Sequence, residues 1–430
     1  MKKNIYLDIA LFFGFLILLS YEEKSIEKDI YIKNEKYPCV NLNIGSQDNK
    51  NFLISLLYPI TWTFPCNDQD YRYNKEKSHT YNPQNQTYSI NYENKDYNAT
   101  IDEENFKFDN NNVTLNFSVV VNESINMPET AGILGLSKGP GLTKNFNNKY
   151  LLLNQLAEKN LISSKNIYIE PYYRNHKILN QSKIIIGEIP NKYEGDNKKK
   201  LPFCELDKES KDFYKCNIYG FILENIKDET TYYNKYNDED KILAVMEEGE
   251  IKTNSIPYFY YEKYFKEYFI DEKKCTFDDS RIKCTNKLDV IENTNISIIV
   301  GDYQFILSPE SAWDGDELNF VFSKENITRL SSSFLGNYYR IYENNEEKIY
   351  FSEVEGNIVL LNPDVTLVWY IIVSIVCLVL VICIIISILL TRNKNKKDLD
   401  EKVKTASFKD DRDESEIKGN KGEANLLSND

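Results

Sequence analysis

The chain has 430 residues, of which 66 are acidic and 52 are basic, so its formal net charge at pH 7 is -14. A negative surface repels phosphate backbones, which argues against nucleic acid as a partner. The chain has two histidines and no Cys-x-x-Cys pair, so we expect no metal site. No motif points to a cofactor, and we expect none.

Both ends of the chain carry apolar segments. Residues 1–20 open with two lysines and continue into an apolar core, as in a secretory signal peptide. Residues 365–390 contain no charge and are long enough to cross a bilayer as a tilted helix. Basic residues follow, which places the polar, disordered tail 391–430 in the cytoplasm. We therefore expect a single-pass type I membrane protein of the secretory or endolysosomal system or the cell surface, with its ectodomain lumenal or extracellular.

The predicted ectodomain contains six of the eight cysteines, and in an oxidising compartment this even number indicates disulfides. Several connectivities are possible, and proximity along the chain favours Cys39 with Cys66, Cys204 with Cys216, and Cys275 with Cys284. Eight Asn-x-Ser/Thr sequons also lie there and none lies in the tail, in agreement with the topology. The glycosylation candidates are Asn85, Asn98, Asn112, Asn116, Asn122, Asn180, Asn295 and Asn326.

Several segments in the first half of the ectodomain predict strands. Residues 37–45 alternate apolar and polar side chains into a glycine, and residues 51–66 carry a second apolar run. Residues 132–136, Gly-Ile-Leu-Gly-Leu, suit a buried strand whose glycines approach another backbone. Helical spacing from 151 to 161 and an apolar strand over 183–189 follow.

The second half repeats this order of elements. Residues 241–250 predict a strand followed by an acidic loop, and residues 258–269 predict an amphipathic helix. Leu335-Gly336 repeats the apolar-glycine element of Leu134-Gly135. The repeat indicates two homologous lobes.

These spaced motifs resemble the pepsin-like aspartic proteases from about Tyr37 to Phe351. The resemblance implies an all-β dominated, bilobal fold with few short helices, to which the C-terminal transmembrane helix is added. We expect an N-terminal lobe at 21–190 and a C-terminal lobe at 191–362.

The resemblance fails at both catalytic positions. An active family member carries Asp-Thr-Gly in each lobe, and the two carboxyl groups share one proton. Here the flanking residues place Leu56 or Leu57 at the first aspartate and Glu247 at the second. Leucine transfers no proton, so we predict an inactive homologue, a pseudoprotease. We interpret Glu247, Glu248 and Glu250 as a solvated acidic loop.

The resemblance also implies a cleft between the lobes that could hold an extended peptide or protein segment. Tyr58, Trp62 and Gly249 are the candidates that line it, and Tyr92 matches the tyrosine of the hairpin flap. Alternatively, Tyr58 and Trp62 close the cleft.

Three functions remain open at this point. The favoured one is an inactive receptor that binds peptides or proteins. The second is an aspartic endopeptidase that pairs Glu247 with a carboxylate from elsewhere, such as Asp68 or Asp96. The third is a structural surface glycoprotein that needs no groove. Enzyme status is thus uncertain, with inactivity favoured.

Overall fold

The part of the chain that the computed structural model describes consists of residues 24–34, 37–64, 71–92, 95–108, 111–121, 129–174, 177–179, 181–227, 230–233, 241–249, 253–273, 275–285, 290, 292–324, 328–352, 358–360, 378–390 and 392. Residues 1–361 form one compact unit, and residues 362–430 form another. The predicted signal peptide and residues 365–377 of the predicted membrane span lie outside the described residues, as does the tail except Arg392.

In the second unit, residues 378–390 form a helix whose apolar side chains are exposed. Within the described ranges, no helix is both long enough and apolar enough to cross a membrane.

Strands dominate the first unit, as the sequence predicted. They are β1 (Ile26–Lys33), β2 (Tyr37–Ile44), β3 (Gln47–Ser55), β4 (Trp62–Thr63), β5 (Asn82–Tyr92), β6 (Lys95–Phe108), β7 (Asn111–Val120), β8 (Gly132–Gly135), β9 (Thr143–Lys144), β10 (Ile167–Ile169), β11 (Tyr173–Arg174), β12 (Lys177–Ile178), β13 (Ser182–Ile186), β14 (Phe203–Glu205), β15 (Lys215–Asn225), β16 (Thr230–Tyr233), β17 (Ile242–Met246), β18 (Asn254–Pro257), β19 (Thr276–Asp278), β20 (Arg281–Lys283), β21 (Thr294–Val300), β22 (Tyr303–Ile306), β23 (Trp313–Asp314), β24 (Glu317–Leu318), β25 (Phe320–Ser323), β26 (Thr328–Leu330), β27 (Tyr339–Glu343), β28 (Lys348–Ser352) and β29 (Ile358–Leu360).

Few helices lie in the described part of this unit. They are α1 (Leu152–Glu158), α2 (Tyr258–Tyr260, continued by a π-helix at Tyr261–Glu272), α3 (Pro309–Ala312) and α4 (Ser332–Leu335), with 3-10 turns at Lys75–Lys77, Asn148–Tyr150, Asn191–Tyr193 and Lys198–Lys200. The two predicted amphipathic helices are confirmed as α1 and α2. On the π-helical part, Phe265 packs against Phe320 and Phe322, with ring centroids 5.8 and 5.1 Å away.

The largest sheet contains strands from both halves of the chain, in the order β14-β28-β27-β10-β13-β1-β2-β3-β8-β4-β7-β6-β5-β9. Strand β10 lies between β13 and β27, so Ile167 pairs with both Ile186 and Tyr342. A second sheet follows the order β25-β18-β26-β17-β15-β21-β22-β29, and β16 pairs with β15.

Parallel pairing occurs at equivalent places in the two halves. In the first, β3 runs parallel to β8, and in the second, β17 runs parallel to β26. The glycines of β8 allow the close backbone contact that the sequence indicated. A Cβ atom on Gly135 would lie 2.4 Å from Ile60 O, and one on Gly132 would lie 2.0 Å from Trp62 O.

The predicted repeat of Leu134-Gly135 at Leu335-Gly336 is wrong. Residues 332–335 form helix α4 and not a strand, because the Ser331 side chain caps the segment by accepting a hydrogen bond from Ser333 N–H. The strand that pairs with β17 ends earlier, at Leu330. The equivalent of Leu134-Gly135 is therefore Leu330-Ser331.

Two of the three favoured disulfides are present. Cys204 bonds to Cys216 and Cys275 bonds to Cys284, with Cα atoms 5.9 and 4.4 Å apart. Cys39 is a buried free cysteine, and Cys66 lies outside the described residues. That bridge stays a prediction.

The described sequons differ in their exposure. Asn98 and Asn112 are exposed, whereas Asn295 is partly buried. Asn116 Nδ2 donates to Gln155 Oε1 at 3.2 Å, which ties up the amide that a glycan would modify. Side chains at the other four sequons, Asn85, Asn122, Asn180 and Asn326, lie outside the described part.

Candidate functional site

The first strand of the site, β3, ends at Ser55. Ser55 pairs with Gly135 in the parallel register of β8, and Leu136 N–H donates to Ser55 O at 2.8 Å. The Ser55 hydroxyl oxygen accepts a hydrogen bond from Leu57 N–H at 3.2 Å. Only 3% of Ser55 is exposed, so its side chain is held inside the fold.

The second strand, β17, ends at Met246. Met246 pairs with Leu330 of β26, and the next residue, Glu247, donates its N–H to Leu330 O at 2.9 Å. Extending this parallel register by one residue places Glu247 opposite Ser331.

The two registers identify equivalent positions in the two lobes. Along a strand, the backbone groups of successive residues point to alternate neighbouring strands. The residue at the end of β3 that hydrogen-bonds to β8 can therefore be matched with the residue after β17 that hydrogen-bonds to β26. Ser55 bonds to β8 opposite Gly135, and Glu247 bonds to β26 opposite Ser331. Ser55 is therefore the counterpart of Glu247.

This register corrects the predicted first position, Leu56 or Leu57. The flanking residues leave two candidate positions that differ by one residue, because only the pairing of the strands fixes the register. Both leucines are buried in apolar clusters, at 0% and 4% exposure. They contribute to apolar packing, and Ser55 occupies the position equivalent to Glu247.

The side chains at the paired positions are a hydroxyl and a carboxylate. Glu247 Oε2 lies 3.7 Å from Arg329 Nη1 in a partly exposed ion pair. The next two residues, Glu248 and Gly249, lie where the two lobes meet. Gly249 N–H donates to Ser332 Oγ at 3.1 Å, and a Cβ atom on Gly249 would lie 4.0 Å from Ile54 O.

Glu248 does not belong to a solvated loop, so that part of the prediction is wrong. Only 1% of Glu248 is exposed, and its Oε1 atom lies 2.7 Å from Arg340 Nε. The hydroxyl of Tyr342 donates to the same oxygen at 3.1 Å, and the hydroxyl of Tyr172 donates to Oε2. A buried carboxylate is stable when it is paired and hydrogen-bonded in this way. Glu250 lies outside the described residues.

The two tyrosines remain protonated beside this carboxylate. Burial, and then the negative charge of Glu248, raises the pKa of Tyr172 and of Tyr342 well above the ordinary value. Both hydroxyl groups therefore stay available as hydrogen-bond donors.

Arg340 is oriented by the residues around helix α4. Its Nη1 atom donates to Leu335 O at 2.7 Å and to Tyr338 O, and its guanidinium carbon lies 5.0 Å from the ring centre of Tyr172. Gly336 permits this arrangement, because a Cβ atom there would lie 2.4 Å from the Tyr172 ring. Gly336 thus leaves room for the Tyr172 ring.

Arg340 was not among the predicted site residues, although the sequence carries a signal for it. Arg340 and Tyr342 alternate with other residues on β27 and so face the same side of the strand. An arginine on the buried face of an aromatic strand requires a buried acceptor, and Glu248 supplies it.

Aromatic side chains cover the first-lobe side of the site. The ring centroids of Tyr58 and Trp62 are 5.2 Å apart, and Tyr92 lies 5.7 Å from Trp62 and 6.4 Å from Tyr58. Tyr92 lies at the tip of the β5–β6 hairpin, where it pairs with Lys95, and Tyr58 OH donates to Asn91 O at 3.2 Å. The hairpin therefore rests on Tyr58 and Trp62, both of which are buried.

Apolar packing joins the lobes beneath these aromatic residues. Val245 of β17 belongs to the same cluster as Leu53 and Leu57. The candidates Tyr58, Trp62 and Tyr92 are thus brought together, and Gly249 lies at the adjoining contact with Ile54.

Comparison with protein-family models identifies a relationship over most of the folded unit. A family model described as eukaryotic aspartyl protease matches residues 58–354, which is more than half of the chain. The match begins three residues after Ser55. No curated protein matches the chain.

Proposed function

The chain belongs to the family of eukaryotic, pepsin-like aspartyl proteases, and on that premise we propose that it is a catalytically inactive, membrane-anchored member whose ectodomain binds peptides or proteins. The observation that carries this proposal is the equivalence of Ser55 and Glu247. These residues occupy the two positions where an active enzyme needs a pair of carboxyl groups.

A hydroxyl and a carboxylate do not reproduce the chemistry of that pair. In the active enzymes one ionised carboxylate activates water while the protonated partner donates to the scissile carbonyl. A serine hydroxyl does not share a proton with a carboxylate in this way, and Glu247 is engaged by Arg329 at 3.7 Å. Glutamate is also one methylene longer than aspartate, and a displacement of about 1 Å costs ~10²-fold in rate.

The Glu248 network supports the view that the fold persists without catalysis. In the enzymes, the threonine after the catalytic aspartate fixes the loop with its hydroxyl. Glu248 follows Glu247 in that place, and Arg340 with two tyrosines fixes it instead. The loop is thus stabilised by contacts that contribute nothing to peptide hydrolysis.

The aromatic cover supports a binding role. Tyr92, at the tip of a hairpin, is partly exposed, and its ring packs edge-on against the buried Trp62 and at a tilt against the buried Tyr58. Tyrosine and tryptophan supply large, rigid contact areas at protein interfaces. We propose that the hairpin lifts and that an extended segment stacks on Tyr58, Trp62 and Tyr92.

The cleavage experiment uses the full chain in uncharged detergent with a diverse peptide library between about pH 3 and 7. A transition-state-mimicking aspartic protease inhibitor is added in a parallel arm, because such a compound binds active members of the family tightly. We expect no inhibitor-sensitive turnover. Turnover that the inhibitor blocks and that Glu247→Gln removes would refute inactivity and support the endopeptidase.

The binding experiment uses the same protein and measures which peptides it retains. We expect Tyr92→Ala to weaken retention at least about tenfold through the loss of an aromatic anchor. Tyr303→Ala, at a partly buried tyrosine on β22, is the matched control and should retain peptides normally. No retention by the wild-type protein would instead favour the structural glycoprotein.

The membrane anchor is tested separately. The proposed span is residues 365–390, which leaves the folded unit lumenal or extracellular and the tail cytoplasmic. After synthesis into microsomes, we expect external protease to remove only the tail and glycosidase to shift the mass. Complete digestion in sealed vesicles would overturn the topology.

A further inference from the structure

A cavity outside the candidate site is lined by four lysines. Its volume is about 310 Å³, and the lysines are Lys138, Lys165, Lys208 and Lys211. The single acidic residue in its lining is Glu347. Ser55, Glu247, Tyr58, Trp62 and Tyr92 are not part of it.

Three segments bring these lysines together. Lys138 follows β8, Lys165 lies between α1 and β10, and residues 207–213 connect β14 to β15. The first and third segments touch at Gly139, where a Cβ atom would lie 2.4 Å from Lys211 O. Glycine at this position is therefore required for the rim of the cavity.

Lys165, Lys208 and Lys211 are exposed, and Lys138 is partly buried. Among the described residues none of the four forms an ion pair, although the chain as a whole is strongly acidic. Asp207, Glu209 and Asp212 lie in the same loop as Lys208 and Lys211. Asp207 Oδ1 accepts a hydrogen bond from Glu209 N–H at 3.4 Å within that loop.

The neutral side-chain donors around the cavity form hydrogen bonds to backbone oxygens. Ser137 Oγ donates to Gly139 O, and Ser210 Oγ donates to Phe213 O at 3.4 Å. The amide of Asn154 donates to Asn148 O at 2.8 Å, and that of Asn344 donates to Lys165 O. The lysines supply the charged donors of the cavity, and a matching ligand accepts hydrogen bonds and carries negative charge.

From this arrangement we propose that the cavity binds a small, multiply charged anion through a phosphate or sulfate group. Lysine ammonium groups bind such oxyanions as point charges. The volume is at the lower end of the range for small-molecule sites, about 300–1,000 Å³. It suits a free oxyanion or a phosphorylated or sulfated monosaccharide.

The test is isothermal titration of the full chain in uncharged detergent, with inorganic phosphate, inorganic sulfate, glucose 6-phosphate and glucose as separate probes. We expect the anions to bind and glucose not to bind, with affinity that falls as salt is raised from about 0.05 to 0.3 M. Tighter binding of glucose 6-phosphate than of phosphate would show that the cavity also contacts the sugar. Equal affinities for phosphate, sulfate and glucose 6-phosphate would show that the cavity binds the oxyanion alone.

Lys208→Gln/Lys211→Gln should weaken anion binding about tenfold or more, since it removes two charged donors. Lys77→Gln/Lys107→Gln is the control, because it removes the same charge at two exposed lysines of the first lobe. Absence of anion binding up to about 10 mM, equal binding of glucose, or an equal loss in both variants would overturn the proposal. The result does not depend on whether the protein cleaves or binds peptides.

Discussion

Arg340 and Glu248 form an ion pair that solvent does not reach. Arg340 Nε lies 2.7 Å from Glu248 Oε1, and the two side chains are 0% and 1% exposed. Two buried charges are costly to desolvate, and their hydrogen bonds to Tyr172, Tyr342 and the Leu335 carbonyl group offset that cost. The pair ties β27 to the loop after β17.

Removing one member of this pair should destabilise the fold strongly. We expect Arg340→Met to lower the free energy of unfolding by about 3–5 kcal/mol, because Glu248 is left buried without a cation. Arg281→Met is the control, since its ion pair with Glu317 is partly exposed and is expected to contribute less than ~1 kcal/mol. Urea unfolding followed by fluorescence measures both. Similar decreases in the free energy of unfolding for the two variants would show that the buried pair stabilises the fold no more than the exposed one.

Two glycines near the site should respond differently to alanine. A Cβ atom on Gly135 would lie 2.4 Å from the backbone oxygen of Ile60, whereas the nearest atom to one on Gly249 would be 3.9 Å away. We expect Gly135→Ala to cost about 1–3 kcal/mol or more through overpacking, and Gly249→Ala to cost less than ~1 kcal/mol. Thermal unfolding of the two variants gives the comparison. A larger loss at Gly249 would contradict the described contact between the lobes.

The contact between Asp96 and Lys144, at the hairpin that carries Tyr92, should persist at moderately acid pH. Hydrogen bonds from Lys144 and then from Asn91 hold the pKa of the exposed Asp96 below its ordinary value of 3.8. The lowered folded-state pKa means that this contact stabilises the fold fully above pH 3.8 and is lost as the pH falls through the lowered value. Hydrogen exchange of residues 88–97, corrected for intrinsic rates, should therefore stay constant from pH 6 to about 4 and rise below it.

Asp96→Asn provides the control for this prediction. The variant loses the ion pair at every pH, so its exchange should be slightly faster and should show no additional acid step. A step that persists in Asp96→Asn would assign it to another group.

Cys39 should be unreactive in the folded protein. Burial raises the pKa of its thiol to about 12, so the nucleophilic thiolate is scarce at neutral pH. We expect no alkylation of Cys39 by iodoacetamide at pH 8 under native conditions, as measured by mass spectrometry. Rapid native labelling would contradict its buried position.

Denaturation without a reductant extends this experiment to the predicted bridge. Labelling of Cys39 in denaturant would confirm the free thiol of the structure. Protection that only a reductant removes would establish the bridge with Cys66.

Local patterns in the sequence predicted much of the fold. The alternation over 37–45 and the apolar residues of 132–136 and 183–189 correspond to β2, β8 and β13. The helical spacing at 151–161 corresponds to α1. Such patterns depend on which side of one element is buried, and a single segment contains that information.

The details of the site depend on contacts between distant segments. Ser55 and Glu247 are equivalent only through the registers of β3 with β8 and β17 with β26, and a shift of one residue reverses every side chain. Residue counting therefore gave the neighbouring leucines. The burial of Glu248 depends in the same way on Arg340, which lies 92 residues further along the chain.

The position of β10 between β13 and β27 also constrains the order of folding. The first half of the chain can form β1, β13 and β10, but one edge of β10 stays unpaired until Arg340 to Tyr342 have been synthesised. Pairing between segments so far apart in sequence is slow, and an open strand edge can associate with other chains in the meantime. Completion of the shared sheet, and with it escape from aggregation, must therefore wait for the last strands of the first unit.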